Sequence, residues 1–136
     1  ELEHSVVERF KRYEIVKENE TDAELYLTED CDILLCAFGA TARVVKSAVN
    51  DARAMGIKAG LFRPKTLWPF PVKEINEAAK TAKKLLSVEM SMGQMIEDIK
   101  LAINCSKPVE FFGRTGGVIP TPVEVLEEIK KIGGTL

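Results

Sequence analysis

The segment Ile33-Leu34-Leu35-Cys36-Ala37-Phe38 constrains this chain most. Every residue in it is apolar, so alternation cannot turn one face to water, and a strand of this kind must be covered on both sides. It ends at Gly39-Ala40-Thr41. A helix is expected from about Ala42 to Met55, with Val45, Val49, Ala52 and Met55 on one face and Gly56 as the stop. A doubly buried strand feeding a helix is the first half of a parallel βαβ unit.

The alternation continues along the chain. Ala23 to Thr28 is short and alternating, as an edge strand is, and Ile57 to Arg63, Lys84 to Glu89 and Pro108 to Phe112 read as further strands. Helices separate them, from Val72 to about Thr81 with Ile75, Ala78 and Ala79 inward, and from Gly93 to about Asn104 with Met95, Ile96, Ile99 and Ala102 inward. Pro64 and Trp68-Pro69-Phe70-Pro71 exclude regular structure between the strand at Arg63 and the helix at Val72. The last helix is signed at both ends. Thr121 caps it, Pro122 takes its first position, Glu124 completes a capping box, Val125, Ile129 and Ile132 form its stripe, and Gly133-Gly134 ends it. A leading helix, His4 to about Glu18, carries Val6, Val7, Phe10, Tyr13 and Ile15 at helical spacing and breaks at Asn19-Glu20-Thr21-Asp22. Right-handed crossovers then place helices on both faces of a mostly parallel sheet, an α/β domain without internal linker or repeat.

Composition narrows the function classes. With 136 residues the chain is one domain's length, and 19 Lys and Arg against 21 Asp and Glu leave a net charge of −2. That balance lacks the basic excess of a nucleic-acid binder. No apolar run approaches the ~20 residues of a membrane span, and the N-terminus carries no signal-peptide pattern. Cys31, Cys36 and Cys105 are odd in number and form no CxxC, so this chain alone builds neither a disulfide framework nor a zinc or iron–sulfur site; a reducing cytoplasm is the expected setting. A single histidine, His4, excludes a multi-histidine metal site and argues against a Ser-His-Asp triad. A start at Glu1 without Met is what processing, or excision from a longer polypeptide, produces.

Ligands of open α/β sheets sit beyond the carboxyl ends of the strands. Four loops should gather there: Gly39 to Thr41, Arg63 to Thr66, Glu89 to Gly93, and Gly113 to Gly117. Gly39 and Thr41 are candidates for an anion site at a helix N-terminus, although the stretch is neither GxGxxG nor a Walker loop, and a plain N-cap at Thr41 is the favoured reading of so weak a motif. Arg114 and Thr115 are the other anion candidates; Arg114 can also pair with a carboxylate of this chain or of a neighbour. Glu89 ends a strand, where a catalytic carboxylate can stand, but no acid/base partner is evident beside it. Met90, Met92 and Met95 read as adaptable packing or contact surface before they read as a soft metal site. Trp68 and Phe70, stiffened by prolines, suit a crevice plug or the centre of an interface. No catalytic constellation and no metal site emerge.

The order of segments resembles a known family. Cys31-Asp32-Ile33-Leu34-Leu35 with Phe38-Gly39-Ala40, and Ala52 through Gly56-Ile57-Lys58, are similar to the transketolase C-terminal domain. Arg63-Pro64-Lys65-Thr66-Leu67-Trp68-Pro69-Phe70-Pro71, Val88-Glu89-Met90-Ser91-Met92-Gly93-Gln94-Met95, and Gly113-Arg114-Thr115-Gly116-Gly117 followed by Pro120-Thr121-Pro122 resemble segments of the 2-oxoacid:ferredoxin oxidoreductases. The match runs over nearly the whole chain and resembles the alpha subunit of the 2-oxoglutarate or 2-oxoisovalerate type.

The resemblance implies a three-layer α/β/α sandwich with a five-stranded, mostly parallel sheet whose first strand, Ala23 to Thr28, is an antiparallel edge. It implies a linking helix and loop over residues 1–22 and a transketolase C-terminal-like domain over 23–136. Such enzymes decarboxylate a 2-oxoacid oxidatively to an acyl-coenzyme A and pass electrons to ferredoxin. Thiamin diphosphate, magnesium and iron–sulfur clusters are implied for the complex, and none for this domain alone; Glu89 is not the thiamin-activating glutamate, which belongs to the preceding domain. The isolated domain is expected to be inactive, with no catalytic residue. Trp68, Phe70, Met90, Met92 and Arg114 are expected to face the preceding domain or other subunits, without nucleic-acid or membrane partners. The alternative is a small Rossmann-like module binding coenzyme A or a nucleotide through Gly39, Thr41, Arg114 and Thr115.

Overall fold

The structure is a computed structural model describing residues 1–136. The elements follow as α1 (Leu2–Asn19), β1 (Ala23–Tyr26), β2 (Ile33–Cys36), α2 (Gly39–Ala54), β3 (Ala59–Pro64), α3 (Val72–Ala78), β4 (Lys84–Glu89), α4 (Met95–Ala102), β5 (Val109–Gly113) and α5 (Pro122–Gly133). One five-stranded sheet has the order β1-β3-β2-β4-β5. β1 pairs antiparallel with β3, Ala23 opposite Pro64, and the other three pairings are parallel.

All four residues of β2 are buried, as an unbroken apolar strand in the middle of a sheet must be. Its alternate side chains feed two separate cores. Ile33 and Leu35 pack with Val45 and Val49 of α2 and with Val125 and Ile129 of α5. Leu34 and Cys36 pack on the opposite face with Phe62, Ile75 of α3, and Met95 and Ile99 of α4. The three layers are thus α2 and α5, the sheet, then α3 and α4.

The capping box of α5 forms as its sequence dictates. The Thr121 hydroxyl accepts from the Glu124 amide at 3.3 Å, and the Thr121 amide donates to the Glu124 carboxylate at 2.8 Å.

Several expectations need correction. Thr41 does not cap α2: Phe38 holds the cap position without a side-chain bond, the helix already includes Gly39, and Thr41 is a buried residue of its first turn. Met55 lies beyond the helix and is 58% exposed, so it is not part of the inward face. β1 stops at Tyr26, where Leu27 takes a positive φ of 54° and turns the chain away. Pro64 closes β3 instead of excluding it, because a strand's last residue can forgo a donated ladder bond. β3 begins at Ala59, α3 ends at Ala78, and α4 begins only at Met95. The apolar set of α1 has no core to enter. None of its residues is buried, and Tyr13 reaches the body through an edge-to-face contact with Trp68 at 5.4 Å.

Candidate functional site

The strand order places a crevice at one point of the carboxyl edge. α2 leaves β2 over one face toward β3, while α4 leaves β4 over the other face toward β5. The chain ends of β2 and β4 therefore part, which is where ligands of open α/β sheets bind. A cleft of about 400 Å³ opens there, walled by Phe38, Leu67, Met90 and Met95, with Thr41 on one side and Asp98 on the other.

Glu89 lies at the foot of this cleft, and its geometry defines its role. Only 2% exposed, it accepts five hydrogen bonds. Ser87 Oγ (2.8 Å) and the Ile96 amide (2.9 Å) reach Oε1, while Ser91 Oγ (2.8 Å) and the amides of Gln94 (2.9 Å) and Met95 (3.0 Å) reach Oε2. The Gly93 amide in turn supports the Ser91 hydroxyl at 3.2 Å. Burial pushes the carboxyl pKa up, but the bonds from Gln94, Ser87, Ser91 and Ile96 outweigh burial and hold it below the ordinary 4.5. The carboxylate is therefore an internal anion seated on the N-terminus of α4, satisfying the donors that a helix start leaves free. With its lone pairs committed, it is not poised to take a proton from a substrate.

The N-terminus of α2 across the cleft has no such partner. The first intrahelical bond runs from the Ala42 amide to the Phe38 carbonyl at 3.4 Å, leaving the amides of Gly39, Ala40 and Thr41 without protein acceptors. Gly39 takes φ +59°, and the helical residues after it complete a left-then-right-handed pair of the kind that turns successive amides toward one point. Thr41 is 5% exposed and lines the cleft.

The other candidates lie elsewhere. The Arg114 guanidinium pairs with Glu124 of this chain and stacks over the Phe112 ring at 5.7 Å, while its backbone amide donates to the Glu89 carbonyl at 3.0 Å. Arg114 and Thr115 are not part of the cleft wall, so the structure brings Gly39 and Thr41 together without them. Phe70 packs beside Phe62 at 6.1 Å between ring centres, whereas Trp68 (61% exposed) and Met92 (83%) stand out into solvent. A wider groove of about 810 Å³ separates the end of α1, at Lys17 and Glu18, from Trp68 and Phe70.

Sequence reasoning missed Ser87, Ser91, Leu67 and Asp98. The available signal was Ser87-x-Glu89, two polar residues on one face of an otherwise apolar strand, which must be satisfied if that face is buried. No group of three or more His, Cys, Asp or Glu side chains converges on a possible metal position. Cys31 and Cys36 are committed to the core and Cys105 is at the surface, a donor set that does not fit an iron–sulfur cluster. No helix is long and apolar enough to cross a membrane.

The antiparallel edge strand, the sheet order and the two helical layers define a transketolase C-terminal-like α/β domain. A split-gene transketolase in an inactive beta4 tetramer shares the fold, with a TM-score of 0.67 at 18% identity over 81% of this chain and 40% of that one. The chain belongs to the family of pyruvate:ferredoxin oxidoreductase core domain II, which matches residues 31–125. It is 48% identical over 124 residues to ketoisovalerate oxidoreductase subunit VorB of Methanothermobacter marburgensis, covering 91% of this chain and 35% of that subunit. The 2-oxoglutarate:ferredoxin oxidoreductase of Magnetococcus marinus, solved with 2-oxoglutarate, coenzyme A and succinyl-CoA bound, superposes with a TM-score of 0.78 at 25% identity, over 94% of this chain and 23% of that one. The chain thus spans about a third of the curated relative's length.

Proposed function

We propose that this domain serves a subunit of a 2-oxoacid:ferredoxin oxidoreductase through domain and subunit contacts, while other parts of the enzyme supply the reacting groups. The observation that carries the reading is the apolar rim at the carboxyl edge of the sheet. Leu67, Trp68, Met90 and Met92 expose large apolar side chains there, and Val118 and Ile119 do so in the loop after β5. Large apolar side chains exposed at one edge of a sheet suit contact sites, and Trp, Met and Arg are the residues such sites favour. In this reading Trp68, Phe70, Met90, Met92 and Arg114 face neighbouring domains or subunits, and residues 1–22 join the domain to the one before it.

At the level of the whole enzyme the reaction is oxidative decarboxylation of a 2-oxoacid to an acyl-coenzyme A, with ferredoxin as electron acceptor. Thiamin diphosphate, magnesium and iron–sulfur clusters belong to the rest of the assembly. The test is made in the full-length subunit with its partner subunits. Trp68→Ala and Arg114→Ala are expected to lower the fraction recovered as assembled complex on native gels, with activity falling in step. Wild-type assembly and activity in both variants would overturn the contact role, as would turnover by the isolated domain.

A further inference from the structure

We propose that the cleft between the ends of β2 and β4 binds a small monocarboxylate with an apolar tail, seated on the amides of Gly39, Ala40 and Thr41 and on the Thr41 hydroxyl. Thr41 carries the inference beyond a free helix start. The residue is nineteen-twentieths buried, yet its hydroxyl makes no hydrogen bond within the protein, and it is not sealed in the core, because Arg114 Nε is the one fully enclosed polar side-chain atom left without a partner. Thr41 lines the cleft, and a hydroxyl withdrawn from bulk water without a protein partner takes one from the space its residue borders. Beside it the amides of Gly39, Ala40 and Thr41 offer donors of the same polarity.

The rest of the wall selects the ligand. No Lys or Arg lines the cleft, while Glu89 and Asp98 occupy the α4 side. A doubly charged phosphate would meet this negative wall with no cation to offset it, whereas a singly charged carboxylate on the α2 side meets donors alone. Phe38, Leu67, Met90 and Met95 supply apolar surface for the tail, and about 400 Å³ accommodates a body of a few carbon atoms. Methionines at 90 and 95 allow that surface to adapt to branched or ring-shaped tails. The site shares Leu67 and Met90 with the exposed apolar rim, but its polar seat uses neither Trp68 nor Arg114, the residues whose replacement tests the contact role, so the two readings fail separately.

The probes are isovalerate, its neutral isostere isovaleramide, and inorganic phosphate, each titrated into the 15N-labelled chain while amide resonances are followed. Isovalerate is expected to shift Gly39, Ala40 and Thr41 saturably, and isovaleramide to bind about tenfold more weakly or worse, because charge-assisted bonds are about twice as strong as neutral ones. Thr41→Val keeps the shape, removes the hydroxyl, and is expected to weaken isovalerate about three- to tenfold. Asp98→Asn lies at an exposed position and is expected to tighten it about two- to threefold by removing a like charge. Calorimetry on the full-length subunit with the same probes and variants is expected to give the same ranking. Any of three results would overturn the site: equal response to isovalerate and isovaleramide, phosphate binding more tightly than isovalerate, or isovalerate binding that ignores both variants.

Discussion

Replacing Glu89 by Gln changes one oxygen to an NH2 group and tests whether the buried carboxylate is the cap of α4. The best orientation keeps the carbonyl on Ser91, Gln94 and Met95, at 2.8, 2.9 and 3.0 Å, and turns the NH2 toward Ser87 and Ile96. The Ser87 hydroxyl can rotate to accept, but the Ile96 amide cannot, so one buried donor faces another at a cost of about 1–3 kcal/mol. Losing the negative charge at the helix start removes about 1 kcal/mol more, toward the upper part of the usual range because the site is buried. The variant should therefore be about 2–4 kcal/mol less stable at pH 7, which lowers the urea midpoint by roughly 1–2 M for a slope near 2 kcal/mol/M. The pH dependence supplies a second signature. A carboxyl held below 4.5 in the folded state contributes stability that is complete above 4.5 and is lost as pH falls through the native value. The gap between wild type and Glu89→Gln should be flat from pH 8 to about 5 and should shrink below that. A midpoint within about 0.3 M of wild type at pH 7 would refute the capping role, and so would a gap that stays constant or widens in acid.

The same contacts yield three further expectations. Gly60→Ala would bring its new Cβ within 2.6 Å of the Leu27 carbonyl and 3.0 Å of Cys31 Cβ, so urea melts should show a loss of about 1–3 kcal/mol, and a wild-type midpoint would contradict that packing. Removing residues 1–20 takes away a helix with no buried residue and one edge-to-face contact to Trp68, so the loss should stay within about 1.5 kcal/mol, measured by thermal unfolding. Native iodoacetamide labelling followed by mass spectrometry should modify Cys105 and spare Cys31 and Cys36. Cys105 is exposed, whereas burial raises the thiol pKa of both others and shields them from reagent.

The parts of this fold that sequence reveals are those in which one residue type can serve only one environment. Ile33 through Cys36 has no polar residue to turn outward, so its double burial follows at once. Thr121-Pro122 with Glu124 is legible because a cap, a first-position proline and a third-position acid act within four residues of one another. Element ends are less legible because they depend on long-range geometry. Leu27 ends β1 by a positive φ that no local residue type announces, and Met55 falls outside α2 although its spacing continues the stripe. The stripe of α1 misleads for a different reason. Periodicity reports an apolar face and says nothing of what covers it, and here no residue of the helix is buried, Tyr13 meeting Trp68 edge to face.

The site was legible in its location and not in its chemistry, and the two helix starts show why. The alternation of strands and helices alone places both loops at the carboxyl edge, since each follows a strand of a mostly parallel sheet. What each helix start does depends on a carboxylate whose distance along the chain is short at α4 and undefined at α2. At α4 the acid is Glu89, five to seven residues before the amides it satisfies, too far for a capping box and therefore unmarked in sequence. At α2 the third helical residue is Thr41 where a capping box would place an acid, and the cap residue is Phe38, whose side chain has no acceptor to give. One helix is thus closed by its own chain, and the other leaves three amides without protein acceptors in residues that line the cleft. A residue-by-residue reading leaves Glu89 as a strand-end carboxylate without an evident partner and Thr41 as a cap. Their partners reverse this: Glu89 is the cap, and Thr41 is the group with an unmet bond.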